Sequence, residues 1–210
     1  MSADVAPVRS HPWRSSPRWW LLVLAAVVVV LSLAAMLAWR VVAAEVRDDV
    51  TVTWTGPVEC EGTTVEWIQP RPGGERVQAI RTREGMRCSL PVAISNDSRV
   101  SVQITRVRLP FMGPQSGVPA QVRTLDGSLW LRPDSVDAVF RLERRLEAGE
   151  TYEFAIDVEF RPPPDGCLSV GSATWLEGQM PQVRVLAFGL PGLRSVDETI
   201  AFRGTRDSEC

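Results

Sequence analysis

Between Arg18 and Arg40 the chain reads RWWLLVLAAVVVVLSLAAMLAWR, and the 21 residues from Trp19 to Trp39 carry no charge and one hydroxyl, Ser32. At ~1.5 Å rise per residue, a helix of that length covers roughly 31 Å, the thickness of a bilayer's hydrocarbon core. A core helix is shorter and keeps a polar face, whereas this run is apolar all round. Trp19 and Trp20 at one end and Trp39 at the other suit the two headgroup interfaces. The apolar region of a cleavable signal is about 7–15 residues long, so a retained single-pass transmembrane helix over 19–39 is the expectation. A small-residue cleavage site can still be drawn at Val42-Ala43-Ala44, with Trp39 and Arg40 interrupting the approach to it.

Orientation follows from the flanks. Arg9, Arg14 and Arg18 precede the span, and Arg40 and Arg47 follow it, a slight positive-inside bias. All four cysteines lie after the span, and cysteine pairs persist as disulfides outside the cytoplasm. These two signals place residues 1–18 in the cytoplasm, the anchor in the plasma membrane and the rest of the chain outside. The tail, with Pro7, Pro12, Pro17 and no apolar period, is expected to be disordered. Residues 40–49 read as a juxtamembrane linker.

Residues 50–210 have the length of one large domain. Beyond Arg40 there are 19 Arg against 24 Asp plus Glu, a formal charge of −5 with the signs interspersed. That excludes the basic stripe of a nucleic-acid binder. The chain has no Lys, one Asn and one Tyr, a usage that points to a GC-rich bacterial genome. In that setting Asn96-Asp97-Ser98 reads as a turn rather than a glycosylation acceptor.

The dominant pattern of this part is period two, the mark of half-buried strands. Val50, Val52 and Trp54 alternate, as do Cys88, Leu90, Val92 and Ile94, then Val100, Val102 and Ile104, then Ala138, Phe140 and Leu142. The cleanest run is TYEFAIDVEF, with Tyr152, Phe154, Ile156, Val158 and Phe160 on one face. Residues 63–68, 183–188 and 198–203 are further candidates. Turn chemistry at RPGGE, NDSR, LDGS, EAGET, PPPDGC and LPGL separates the runs. The fold class expected is mainly β: a single N-terminal transmembrane helix, then an antiparallel sandwich of about seven to nine strands. Eight strands also satisfy a closed barrel; short strands and uneven connections favour the sandwich. Residues 107–130 are the least regular and read as a long loop or edge insertion.

Two stretches carry a resemblance. PVAISNDSRVSVQITRVRLP reads as strand, polar turn, strand, and FRLERRLEAGETYEFAIDVEFRPPPDGC as strand, Gly turn, long strand, Gly-Cys corner. Together they resemble the extracytoplasmic immunoglobulin-like sandwich of single-span actinobacterial envelope proteins, a family of unknown function. There an Asn-Asp or Asn-Ser turn joins two strands and a Pro/Ala-Gly-Glu turn precedes a long one. The resemblance covers roughly residues 50–210 and implies fold and location, with no activity to carry over. Ala148 stands here where Pro is commoner.

Cys60, Cys88, Cys167 and Cys210 allow three pairings. No CxxC is present, and the close pairs of a structural zinc site are missing. Two structural disulfides are expected, Cys60–Cys88 and Cys167–Cys210 being the local pairs.

The only His, His11, lies in the tail. Residues beyond the span therefore hold neither imidazole nor amine side chain, and Ser-His-Asp, Cys-His and Ser-Lys systems cannot be built from them. No catalytic, cofactor-binding or metal-binding residue is assigned. Glu153, Asp157 and Glu159 are the carboxylates available to a carbohydrate-active site; the simpler reading is a solvated outer face. Arg144 and Arg145, and the group Arg76, Arg81, Arg83 and Arg87, offer cations to an anionic polymer or to neighbouring acids such as Glu84, Glu143 and Glu147. Of Trp54, Trp67, Trp130 and Trp175, the last two adjoin turns. The apolar, turn-rich run LPFMGP makes Leu109, Phe111 and Met112 the candidate partner loop. The functional expectation is a non-enzymatic, membrane-anchored module without cofactor that binds an envelope protein or polysaccharide. A carboxylate-based carbohydrate protein and a structural spacer are the alternatives.

Overall fold

The computed structural model describes residues 17–69, 76–83, 85–116, 120–126, 128, 134–161, 174–175, 180–196 and 198–204. Two compact units divide between Val41 and Val42. The apolar run is helical: α1 spans Pro17–Asp48. It is long and apolar enough to cross a membrane, a property that membrane spans and signal sequences share. The segment 40–49, expected as a linker, is helical as far as Asp48, and Asp49 alone separates the helix from the first strand.

Thirteen strands occur among the described residues, nine of them in the two sheets of the sandwich, within the seven to nine expected for it. The first five are β1 (Val50–Trp54), β2 (Glu59–Cys60), β3 (Val65–Ile68), β4 (Val77–Thr82) and β5 (Arg87–Asn96). Next come β6 (Val102–Leu109), β7 (Ala120–Leu125), β8 (Ala138–Leu146) and β9 (Thr151–Phe160). The last are β10 (Thr174–Trp175), β11 (Gln182–Ala187), β12 (Leu190–Ser195) and β13 (Ile200–Gly204).

One antiparallel sheet has the order β1-β5-β9-β7, with β2 also on β5; a second has the order β12-β11-β6-β8. Their inner faces share one hydrophobic core, so the two pack as a sandwich. The alternation of β9 is read out directly: Phe154, Ile156, Val158 and Phe160 are buried, while Thr151, Glu153 and Asp157 are exposed. Each such apolar side chain contributes roughly 1.5–3 kcal/mol on burial. Facing them are Ile104 and Val107 of β6, Phe140 of β8, and Val183 and Val185 of β11.

Pro91 stands in β5, a central strand where proline is rare. Its carbonyl accepts from Thr55 N at 3.1 Å, so its ring nitrogen faces the same side. On that side the β1 ladder ends at the Trp54–Val92 pair and the β2 ladder begins at Glu59–Ser89. The missing N–H therefore falls in a gap between two partners.

LPGL, expected as a turn, is part of β12. The turn lies two residues earlier, at Phe188 and Gly189, both with positive φ (50° and 80°), joining the Ala187–Leu190 pair. Pro191 and Gly192 are tolerated because β12 is an edge strand. The expected irregular stretch 107–130 contains the end of β6 and all of β7.

A third sheet, β10-β13-β4-β3, was not foreseen, and β13 runs parallel to β4. Phe202 of β13 packs on Phe160 of β9 at 5.0 Å, joining this sheet to the shared core. Gln78 of β4 accepts from Val58 N at 3.0 Å and holds the β1–β2 connection.

Candidate interaction surface

The run LPFMGP leaves β6 at Leu109 and turns sharply. Phe111 has φ 58°, a conformation that costs a bulky L-residue about 1–2 kcal/mol. It is held there from outside: Phe111 N donates to Asp137 Oδ1 at 3.0 Å. Asp137 Oδ2 in turn accepts from Arg108 Nε at 2.8 Å. Gly113 N donates to the Val136 carbonyl at 2.9 Å, and Val122 N to the Met112 carbonyl at 3.0 Å. A Cβ on Gly113 would sit 2.7 Å from the Asp137 carbonyl carbon and against the Ser135 carbonyl oxygen, so only glycine fits.

The loop sorts its apolar side chains. Leu109 and Met112 are each 1% exposed and belong to the core; of the three residues expected to face a partner, these two are unable to. Phe111 is 53% exposed, and Val136, which the sequence did not flag, joins it at 46%. Two apolar side chains are thus held outward by a braced loop. Loop 110–116 lies at the end of β6 remote from Asp49, whose carbonyl accepts from Asp97 N just before β6 begins.

At that opposite end two turns are locked together. Asn96 is fully buried. Its Oδ1 accepts from Ser98 Oγ at 2.7 Å and its Nδ2 donates to the Glu147 carbonyl at 2.9 Å. Gly149 N donates to the Asn96 carbonyl at 2.7 Å, closing the Glu147–Glu150 turn on it. The turn reading of Asn96-Asp97-Ser98 is the one the structure shows, and the Asn96 amide is enclosed once the chain has folded. Nearby, Tyr152 donates its hydroxyl to Asp126 Oδ2 at 2.8 Å, and the Arg144 guanidinium lies 4.3 Å from its ring centre. Burial, aided by the bond to Asp126, pushes the phenol up to about 12.

Glu153, Asp157 and Glu159 share the outer face of β9. Glu159 is contacted by Arg87 at 3.8 Å, Arg123 at 3.3 Å and Arg161 at 3.2 Å. Asp157 accepts from the Thr124 hydroxyl at 2.6 Å. A groove of about 660 Å³ runs beside Asp157, lined also by Glu59, Glu61, Arg123 and the Cys60–Cys88 disulfide, and neither Glu153 nor Glu159 lines it. That disulfide is formed between directly paired residues of β2 and β5. Cys167 and Cys210 lie outside the described residues, as do His11, Glu84 and Trp130.

Arg145 pairs with Glu147 at 2.9 Å, Arg144 with Glu150 at 3.5 Å, and Arg81 with Glu66 at 3.2 Å. Trp67 is exposed on β3, and Trp54 donates from Nε1 to the Glu198 carbonyl at 2.9 Å. Trp19, Trp20 and Trp39 are exposed on α1. Among the described residues, no group of three His, Cys, Asp or Glu is arranged to hold a metal ion.

No family model matches the chain, and no curated protein matches it. Among solved structures it is similar to a GH20 exo β-N-acetylglucosaminidase from Vibrio harveyi in complex with N-acetylglucosamine. The two share 10% identity at a TM-score of 0.34, over 76% of this chain and 19% of that one. It is also similar to the alkylpurine DNA glycosylase AlkC of Pseudomonas fluorescens, at 12% identity and a TM-score of 0.30, over 74% of this chain and 30% of the other. The chain spans under a third of the length of each of these structures. Likenesses of this strength carry no argument about its activity.

Proposed function

We propose that this chain is a membrane-anchored, non-enzymatic interaction module of a bacterial cell envelope, with an immunoglobulin-like domain outside the membrane that engages a protein partner through Phe111 and Val136. The braced loop carries this reading: a bulky apolar residue is held at φ 58° with more than half its surface in solvent. Such strain persists where surrounding structure over-determines it, often at binding sites. Helix α1 serves as the anchor, with the tail in the cytoplasm. The Cys60–Cys88 disulfide suits an oxidising compartment. The resemblance to single-span actinobacterial envelope proteins agrees with this placement.

The test is site-specific photocrosslinking in native membranes. A photoreactive residue at 111 should give one discrete adduct, and one at 153, on the outer face of β9, should not. Absence of an adduct at 111, or the same adduct from both positions, counts against the proposal. A second reading, carbohydrate binding, draws on the carboxylate-lined groove beside Asp157. Retention on isolated cell-wall polysaccharide that is lost in Asp157→Ala would favour it.

A further inference from the structure

On the outer face of the β12-β11-β6-β8 sheet, strand register brings together three arginines that the sequence keeps apart. Arg184 of β11 is paired with Arg106 of β6, and Arg106 with Arg141 of β8. At ~4.8 Å between strands, the three form a row roughly 10 Å long. Like charges placed directly opposite across strands are destabilising. Glu143 relieves one of them, lying 3.4 Å from Arg141. Arg108, on the same face, is already engaged by Asp137. Among the described residues no carboxylate forms an ion pair with Arg106 or Arg184. This row lies in a region of the chain that is acidic overall.

The backbone is irregular at this row. Between the Arg184–Arg106 and Val185–Ile104 pairs, β6 carries one residue more than β11. Between the Arg141–Arg106 and Arg144–Ile104 pairs, β8 carries one residue more than β6. Bulges of this kind re-aim side chains. Here Thr105 and Arg106 are both half-exposed in succession, breaking the strict alternation of the rest of β6. Glu143 has φ 38° in the bulged part of β8. The result is a depression of about 250 Å³ lined by Thr105, Arg106, Arg141, Glu143, Arg184 and Leu186. It is too small for a drug-sized molecule.

We propose that the Arg184–Arg106–Arg141 row is a binding site for a phosphate group carried by an envelope component. Guanidinium forks match phosphate oxygens in bidentate pairs, and three of them in a row supply more donors than a single carboxylate can use. A bound phosphate removes the repulsion that the row otherwise carries. The site is separate from the Phe111 loop and does not depend on it.

The full-length protein in detergent micelles is titrated with inorganic pyrophosphate at low ionic strength by calorimetry. Binding is expected to saturate at one site. Arg106→Gln and Arg184→Gln should each raise Kd by about tenfold or more, while Arg145→Gln, whose guanidinium pairs with Glu147, leaves it unchanged. Unliganded Arg106→Gln should have a higher Tm than the parent. Doping the micelles with phosphatidylglycerol separates the sources: weakened pyrophosphate binding assigns the site to a lipid headgroup, and unchanged binding to a soluble phosphate. Lack of pyrophosphate binding, binding unaltered by both substitutions, or citrate bound as tightly as pyrophosphate would overturn the site. A lowered Tm in Arg106→Gln would mark that residue as structural and overturn it equally.

Discussion

Asn96 donates from Nδ2 to the Leu146 carbonyl at 3.2 Å, across 50 residues of sequence. Leu146 ends β8 and Asn96 ends β5, so one amide ties together strands of the two facing sheets. The same nitrogen reaches the Val100 carbonyl at 2.9 Å. Asn96→Ala removes the amide that the Leu146 and Glu147 carbonyls accept from, leaving the Ser98 hydroxyl and the Val100 carbonyl to each other. The expected loss of unfolding free energy is about 3 kcal/mol, measured by urea denaturation with the m-value unchanged. Asn96→Asp should lose at least as much, because it points carboxylate oxygens at carbonyl oxygens.

The Phe111 loop separates stability from binding. Phe111→Gly relieves the positive φ and removes an exposed side chain, so unfolding free energy should stay level or rise by about 1 kcal/mol. Partner crosslinking from a probe at 136 should be lost. Gly113→Ala does the reverse at the level of the fold, since its Cβ meets the backbone of Ser135 and Asp137. A loss of about 1–3 kcal/mol is expected, read from the shift in Tm.

Tyr152 is the chain's single tyrosine, so tyrosinate absorbance reports on one site. The midpoint should fall near 12 in the folded protein, against an ordinary value near 10. Because the folded value is the higher, the stabilisation is present in full below about pH 10 and is lost as pH rises through about 12. Asp126→Asn should bring the midpoint down. A midpoint near 10 in the parent would show that neither burial nor the Asp126 bond acts on the phenol.

Cys60 and Cys88 close a loop with a separation of 28 residues. Restriction of the unfolded chain by a loop of that size is worth about 3–4 kcal/mol. Cys60→Ser with Cys88→Ser should lower unfolding free energy by that amount. Reductant should have no further effect through this pair.

Legibility followed periodicity. β9 could be read directly because it buries no two consecutive residues, and β5 because Cys88, Leu90, Val92 and Ile94 alternate along its buried face, Ala93 alone being buried on the other. β12 was missed because Pro191 and Gly192 look like a turn, and only its edge position makes them compatible with a strand. β4 was missed because Gln78 and Thr82 are buried polar residues, which hides its apolar face. In LPFMGP the composition marks an exposed apolar loop, yet one residue of the three candidates points outward. Which one does so depends on Asp137 and Val136, more than 20 residues further on. The Arg184–Arg106–Arg141 row was beyond reach for a related reason: it exists only once three strands have taken up their register. Local pattern finds strands, whereas side-chain clusters depend on pairings that pattern does not encode.

The parallel pairing of β13 with β4 has a consequence in time. Gln78 and Ile200 are partners, so β4 meets one of its two neighbours only after the chain through residue 204 has been made. A nascent chain delivered N-terminus first therefore holds β4 with one bare edge while β5 to β12 are added. At ~5–20 residues per second, that interval is on the order of ten seconds. Bare edges invite pairing with other chains. During that window the protein needs either a holding factor or fast docking of the two larger sheets to keep β4 from a stranger.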